Sequence, residues 1–164
     1  MQFSVFNFNL TIMLAAHPEL LLIEDSAYDA ELTFKALKAK MPTLQYHHIR
    51  DGEEALNYLF RRGDYQDHEY SQPLLILLDL DLPKVKGIQV LQALKSDPAT
   101  SGIPVVVITV SASEEQMREA YRLGANSFII KAMNFVKYSL TIAEVVHYWL
   151  LVNDLPNYRK PKTL

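Results

Sequence analysis

Four short, unbroken apolar runs punctuate the chain: Leu20–Ile23, Leu74–Leu78, Val105–Ile108 and Phe128–Ile130. None alternates apolar with polar residues, so each is expected to be a strand covered on both faces, as in a parallel sheet. A more polar segment, Leu44–Ile49, reads as a further strand at an edge. Helical patterns lie between the strands. Ala27–Lys40 sets Ala30, Phe34, Leu37 and Met41 on one stripe, and Glu53–Arg61 carries Ala55, Leu56, Leu59 and Phe60. Ile88–Leu94 offers Ile88, Leu91 and Leu94, and Glu114–Leu123 offers Met117, Ala120 and Tyr121. Phe135–Val152 is the longest, with Leu140, Ala143, Val146, His147 and Leu150 near one face. Strand and helix therefore alternate five times across residues 19–152. Right-handed crossovers then place helices on both sides of an open parallel sheet, an α/β doubly wound sandwich. The connection from Gly63 to Pro73 is polar and longer than α/β units commonly use, which suits a partner-facing loop or an insertion.

The residues at the end of each run carry the chemistry. The first strand leads into Glu24 and Asp25, Leu74–Leu78 into Asp79, Val105–Ile108 into Thr109, and Phe128–Ile130 into Lys131. In an open α/β sheet the ligand site lies outside the carboxyl ends of the strands, so these residues converge on one rim. Three crowded carboxylates repel one another unless a cation joins them. Their oxygens suit a hard ion such as Mg2+. Lys131 adds a second positive charge and Thr109 a hydroxyl. Together they describe phosphoryl transfer onto a carboxylate, in which Asp79 attacks in line while Mg2+ and Lys131 neutralise the equatorial oxygens. Singly, each residue has a plainer reading. Asp25 or Ser26 could cap the following helix, Lys131 could be a solvated lysine and Thr109 a turn residue. Asp79 is harder to dismiss, because an acid beside so apolar a run costs desolvation unless compensated.

Composition narrows the alternatives. The 164 residues are 49% hydrophobic and 21% charged, which supports a single domain with a full core. There is no cysteine, so disulfides, thiolate catalysis and cysteine-ligated zinc or iron–sulfur sites are excluded, and a cytoplasmic setting is expected. The net charge of −3 advertises no nucleic-acid partner. No apolar stretch reaches the roughly 18 residues of a membrane span. Met1–Ala16 lacks the basic start of a signal peptide. Within it Phe6–Ile12 alternates strictly, as an arm packed on this domain or on a second copy would, although a disordered lead-in is the other reading. Arg159, Lys160 and Lys162 read as a solvated tail. The division expected is an extension at 1–18, one domain at 19–152 and a tail at 153–164. His47 and His48 would point to opposite faces of a strand and cannot jointly hold zinc. His17, His68 and His147 show no ligand spacing.

These pieces resemble the receiver domain of two-component response regulators, the CheY-like module. The matching segments are Leu-Leu-Ile-Glu-Asp-Ser at 21–26, Leu-Leu-Asp-Leu-Asp-Leu-Pro at 77–83 with Gly87 after it, Val-Val-Val-Ile-Thr at 105–109, and Phe-Ile-Ile-Lys at 128–131. The resemblance implies a (βα)5 sandwich with strand order 2-1-3-4-5. It also implies that Asp79 is the phosphoacceptor. Mg2+ would be bound by Asp25 and Asp79, by Glu24 through water and by the backbone carbonyl of Asp81. Thr109 would move toward the phosphoryl group and Lys131 would pair with it. Phe128 stands where the family has a Tyr or Phe that changes rotamer on activation, biasing the face made by the fourth helix, fifth strand and fifth helix. The phosphoryl donor would be a histidine kinase, and the protein would assist only its own phosphorylation and dephosphorylation.

More narrowly, the layout is similar to single-domain regulators that partner bacterial and cyanobacterial phytochromes. Asp-Gly-Glu-Glu-Ala-Leu-Asn-Tyr-Leu at 51–59, Leu-Lys-Ser-Asp-Pro at 94–98 and the tryptophan-bearing last helix carry that likeness. It implies a phytochrome-type kinase as donor, output through a protein partner or downstream phosphorelay member, and a homodimer to which Tyr138, Tyr148 and Trp149 contribute. Two departures stand out: Ala132 follows the lysine where many receivers have proline, and Val110 follows Thr109 where a small residue is common. Three rivals share some features. A haloacid-dehalogenase-like phosphatase also uses an acid pair like Asp79 and Asp81, a flavodoxin-like carrier shares the strand order, and a receiver-like binding module would need no phosphotransfer.

Overall fold

Alternate side chains of the central strands feed two separate cores, and this makes the fold a three-layer sandwich. The computed structural model describes residues 19–67 and 72–154. The 1–18 extension with His17, the segment around His68 and the basic tail lie outside the described residues. Strands β1 (Leu20–Ile23), β2 (Tyr46–Ile49), β3 (Leu75–Asp79), β4 (Val105–Thr109) and β5 (Ser127–Ile130) form one parallel sheet in the order β2-β1-β3-β4-β5. Register places Ile23 opposite Leu78, Leu78 opposite Val107, and Asp79 opposite Ile108. Leu20, Leu22, Leu75, Leu77, Val106 and Ile108 point to one face, and Leu21, Ile23, Ile76, Leu78, Val105 and Val107 to the other. That is the two-residue period of a strand acting on a sheet buried on both sides.

The helices are α1 (Ala27–Lys40), α2 (Gly52–Leu59), α3 (Gly87–Ser96), α4 (Glu114–Leu123) and α5 (Phe135–His147). Helices α1 and α5 cover the first face through Ala30, Leu37, Tyr138, Ile142 and Val146. The other three cover the second through Ala55, Leu59, Val90, Leu91, Leu94 and Ala120. Local capping starts them where the chain leaves a strand. Ser26 accepts from the Asp29 N–H in α1, and Asp51 from Glu54 in α2. Ser113 and Gln116 cap α4 reciprocally, and Asn134 accepts from Lys137 in α5. Such caps satisfy amides that a helix N-terminus leaves orphaned.

Three expectations need correction. The Phe128–Ile130 run is not covered on both faces: β5 is an edge strand, its residues only half-buried and Ile130 exposed. Its place at the end of the 2-1-3-4-5 order leaves one side without a neighbouring strand among the described residues. Leu140 is 64% exposed, because the inward stripe of α5 runs through Tyr138, Ile142 and Val146 instead. Tyr138 is therefore a core residue and not part of a dimer surface. Its buried hydroxyl lies 2.8 Å from Thr33 Oγ1, which ties α5 to α1. Burial pushes the Tyr138 phenol up from its ordinary range. Beyond His147 the helix continues as a π-helical turn, Tyr148–Val152, closed by the Asn153 N–H on the Tyr148 carbonyl at 2.7 Å. Phe135–Val152 is long and apolar enough, by length and composition, to cross a membrane. Here its inward stripe is fully used in packing against the sheet and α1.

Tyr138→Phe would strand the Thr33 hydroxyl in the core. A loss of about 1–2 kcal/mol is expected in urea unfolding, with part of it recovered when Thr33→Val is added.

Candidate functional site

Because all five strands are parallel, their carboxyl ends share one rim, and the polar residues at the ends of the apolar runs meet there. Glu24 and Asp25 come directly after β1, Asp79 is the last residue of β3, Thr109 the last of β4, and Lys131 comes directly after β5. Carboxylate oxygens of Glu24, Asp25 and Asp79 lie within 4.8 Å of one another. The Lys131 ammonium sits among them, 2.5 Å from Glu24 Oε2 and 2.8 Å from Asp79 Oδ2. Side-chain exposure is 8% for Lys131, 1% for Glu24 and 6% for Asp79, so these charges are nearly dry. Buried charges are tolerated when paired and hydrogen-bonded, and each of these is.

Backbone groups fix the acids further. Asp79 Oδ1 accepts the Asp81 N–H at 3.0 Å, and Glu24 Oε1 accepts the Ser26 N–H at 3.2 Å. The Asp25 carbonyl takes Nε and Nη2 of Arg50 at 3.3 and 3.0 Å, while the Glu24 carbonyl lies 2.8 Å from His48 Nε2. Gly87 backs the strand end: a Cβ there would stand 2.0 Å from the Asp79 carbonyl oxygen, and its N–H donates to Leu80 O at 3.0 Å. Only glycine lets α3 start so close to the acid-bearing strand.

Charge in the cluster is unbalanced. Burial pushes Glu24 up to about 7, against the opposing pull of Lys131. Burial also works against the Lys131 charge, but its bonds to Asp79 and Glu24 outweigh that and hold it well above the usual lysine range. One ammonium thus faces several carboxylates where water is scarce. An all-oxygen donor set with excess negative charge fits a hard divalent cation.

Of the other expected residues, Thr109 is buried at the rim, but its hydroxyl donates to the Ser111 carbonyl at 3.1 Å and reaches neither Asp79 nor Lys131. Asp81 is exposed beyond Asp79. Phe128 is half-buried against the α2–α4 core, its ring 6.4 Å from that of Tyr121. Val110 is 58% exposed beside the rim, and the Lys131–Ala132 peptide is trans. Ser26, not Asp25, is the helix cap, which leaves the Asp25 carboxylate for the cluster. His47 and His48 do point to opposite faces: His47 stacks on Tyr58 and His48 meets Phe34 edge-on. Asp29 was not foreseen. Its Oδ2 lies 3.1 Å from Lys131 Nζ. The spacing from Ser26 marks it as a first-turn residue, but nothing in the spacing shows that the lysine reaches it from the far end of the chain.

The response regulator receiver domain model matches residues 20–142. The chain belongs to this receiver family. The probable methanogenesis regulatory protein FilR2 of Methanothrix harundinacea is 38% identical over 137 residues, 84% of this chain and 86% of that protein. Response regulator Rcp1 of Synechocystis is 35% identical over 137 residues, 84% of this chain and 92% of that one. Among solved structures, the phosphorylated cyanobacterial phytochrome response regulator RcpA superposes with a TM-score of 0.80 at 37% identity, covering 87% of this chain and 100% of its own. The Mn(2+)-bound form of Rcp1 gives 0.77 at 35% identity, covering 84% and 97%. The observed strand order is that of the family, and membership sets aside the phosphatase and electron-carrier assignments. The receiver carries an acidic pocket of Glu24, Asp25 and Asp79 that could hold a metal.

Glu24 gives this pocket a pH signature. A carboxyl that takes up its proton more readily when folded makes stability fall as pH rises between about 4.5 and about 7. In metal-free buffer, urea unfolding at intervals from pH 5 to 8 should show wild type losing up to about 3 kcal/mol relative to Glu24→Gln across that window. Parallel curves would show that Glu24 titrates normally.

Proposed function

We propose that this receiver, spanning 19–152 between an extension and a tail, accepts a phosphoryl group from a histidine kinase onto Asp79. The observation that carries the reading is the Lys131 ammonium 2.8 Å from Asp79 Oδ2 inside a cluster of three carboxylates at the sheet's carboxyl rim. Asp25 and Asp79, the Asp81 carbonyl, and Glu24 through water would hold Mg2+. When bound, the ion supplies charge neutralisation for the carboxylates and for the transferring phosphoryl oxygens.

The protein's own residues do the rest. The Asp81 N–H fixes Asp79 Oδ1, so Oδ2, now on Lys131, is the oxygen that attacks phosphorus. A P–O bond forms as the P–N bond to the donor imidazole breaks, and the imidazole keeps the electron pair. Lys131 then shifts its N–H from Oδ2 to a phosphoryl oxygen, one cation serving both states. The Thr109 hydroxyl exchanges the Ser111 carbonyl for the phosphoryl group. The space it vacates lets Phe128 turn inward, where packing alone holds it because the ring has no hydroxyl. The protein catalyses only its own phosphorylation and hydrolysis. A phytochrome-type kinase as donor is supported by the likeness to Rcp1 and RcpA. Output passes to a protein partner in the cytoplasm rather than to nucleic acid or membrane.

Incubation with acetyl phosphate and Mg2+ should add the mass of one phosphoryl group to the intact protein, and Asp79→Asn or chelation should abolish the gain. A wild type that gains nothing and gives no amide shifts with beryllofluoride would be a binding module instead.

The same reading includes a homodimer. Val136, Leu140, Tyr148 and Leu151 are 65%, 64%, 48% and 55% exposed along the outer side of the last helix, a largely apolar strip that the exposed, Lys40-paired Glu144 interrupts. Trp149, half-buried against the α1–α5 core, supports the strip rather than forming it. Light scattering after size exclusion should give a dimer for wild type and a monomer for Leu140→Lys with Leu151→Lys. A monomeric wild type, phosphorylated or not, would remove the dimer from the reading.

A further inference from the structure

A lysine ammonium has three N–H donors, and all of those on Lys131 are engaged. Glu24 and Asp79 take two of them at 2.5 and 2.8 Å, and Asp29 takes the third at 3.1 Å. The first two acceptors belong to the acid cluster and Asp29 does not. It stands in the first turn of α1, its own N–H donating to Ser26 Oγ at 3.2 Å, so the helix cap sets its position. The N-terminal end of α1 favours its negative charge. Its side chain is 29% exposed, against 1% for Glu24 and 6% for Asp79, so it meets Lys131 from the solvent side of the pocket.

We propose that Asp29 is a positioning residue that restrains Lys131, holding one N–H of the ammonium on the α1 side of the pocket. The inference rests on the receiver reading and deepens it. A phosphoryl group on Asp79 presents more acceptor oxygens to the lysine than the free carboxylate does. To reach them the ammonium swings toward β3, away from α1. Asp29 opposes that swing with a full negative charge at close range. It therefore weights the equilibrium toward the unphosphorylated arrangement, and removing its charge releases the lysine to the phosphoryl site. Asp29→Asn keeps the shape and an oxygen acceptor while deleting the charge, which separates restraint from simple structural support.

Two measurements test this. With saturating Mg2+, affinity for beryllofluoride, followed by fluorine NMR, should be about fivefold tighter in Asp29→Asn than in wild type. Glu31→Gln, which neutralises an exposed acid on the same helix, should leave it unchanged. In metal-free protein, acetylation of Lys131 by acetic anhydride, read by peptide mass spectrometry, should be faster in Asp29→Asn only. If wild type binds beryllofluoride and Asp29→Asn binds it equally or more weakly, the restraint is overturned and the receiver reading stands. The same conclusion holds if Glu31→Gln tightens binding as much as Asp29→Asn, since general charge would then be the cause. A wild type with no Mg2+-dependent binding would overturn the receiver reading and this inference with it.

Discussion

A single ammonium holds the pocket together. Glu24, Asp79 and Asp29 all converge on Lys131 Nζ, and Asp25 completes the acid cluster beside them. Without that cation the carboxylates at the sheet rim would be like charges crowded together with nothing to offset them. Breaking such a buried pair by removing one partner costs several kcal/mol, about 3–5 in comparable cases. The architecture is arranged around this necessity. Only a parallel sheet brings the ends of β1, β3 and β5 to one edge, and only the β1-β3-β4-β5 order sets the lysine two strands from Asp79 and on the same side of the rim. An antiparallel arrangement would send the same residues to opposite ends.

The apolar runs give the cluster its electrostatic character. Leu75–Leu78 and Val105–Ile108 are completely buried, so Asp79 emerges from a region where water does not penetrate. That same burial raises Glu24 and strengthens each bond to Lys131. Close backbone packing adds to it. The glycine at 87 lets α3 begin against the Asp79 carbonyl, and Gly52 lets α2 begin against Val85, where an added Cβ would meet the Val85 carbonyl oxygen at 1.9 Å. Side chains at either place would push the helix starts outward and open the rim.

Much of this was legible in the chain because two signals agreed. Unbroken β-branched and leucine runs marked buried strands, and a polar residue at the end of each marked the rim. Strand order then came from the resemblance, since no run encodes its neighbour. The errors came from facts that depend on tertiary neighbours. Nothing in Phe-Ile-Ile distinguishes an edge strand from a central one, and β5 is more exposed than its apolar run implies. In α5, Leu140 and Ile142 are equally apolar. The face is decided by the tyrosine at 138, whose hydroxyl finds Thr33 across the α1 interface. Asp29 escaped for the same reason: its partner is 102 residues away. Separation in sequence, rather than weak signal, limited the reading.

Lys131 has a second role in the fold that bears on how a charge event at Asp79 could leave the pocket. Its backbone N–H donates to the Thr109 carbonyl at 2.7 Å, while its side chain reaches Asp79. The residue thus couples the rim to the end of β5 through both main chain and side chain. On the proposed chemistry, a lysine drawn toward a phosphoryl group and a threonine turning from Ser111 would strain the same junction from its two sides. The strand affected is the half-buried edge strand that carries Phe128 and the exposed Ile130, with less packing to resist than the central strands. A central strand buried on both faces would transmit little, because close-packed interiors do not deform gradually. An edge strand joined to α4 and α5 by short connections is where a small shift at the pocket meets little opposition.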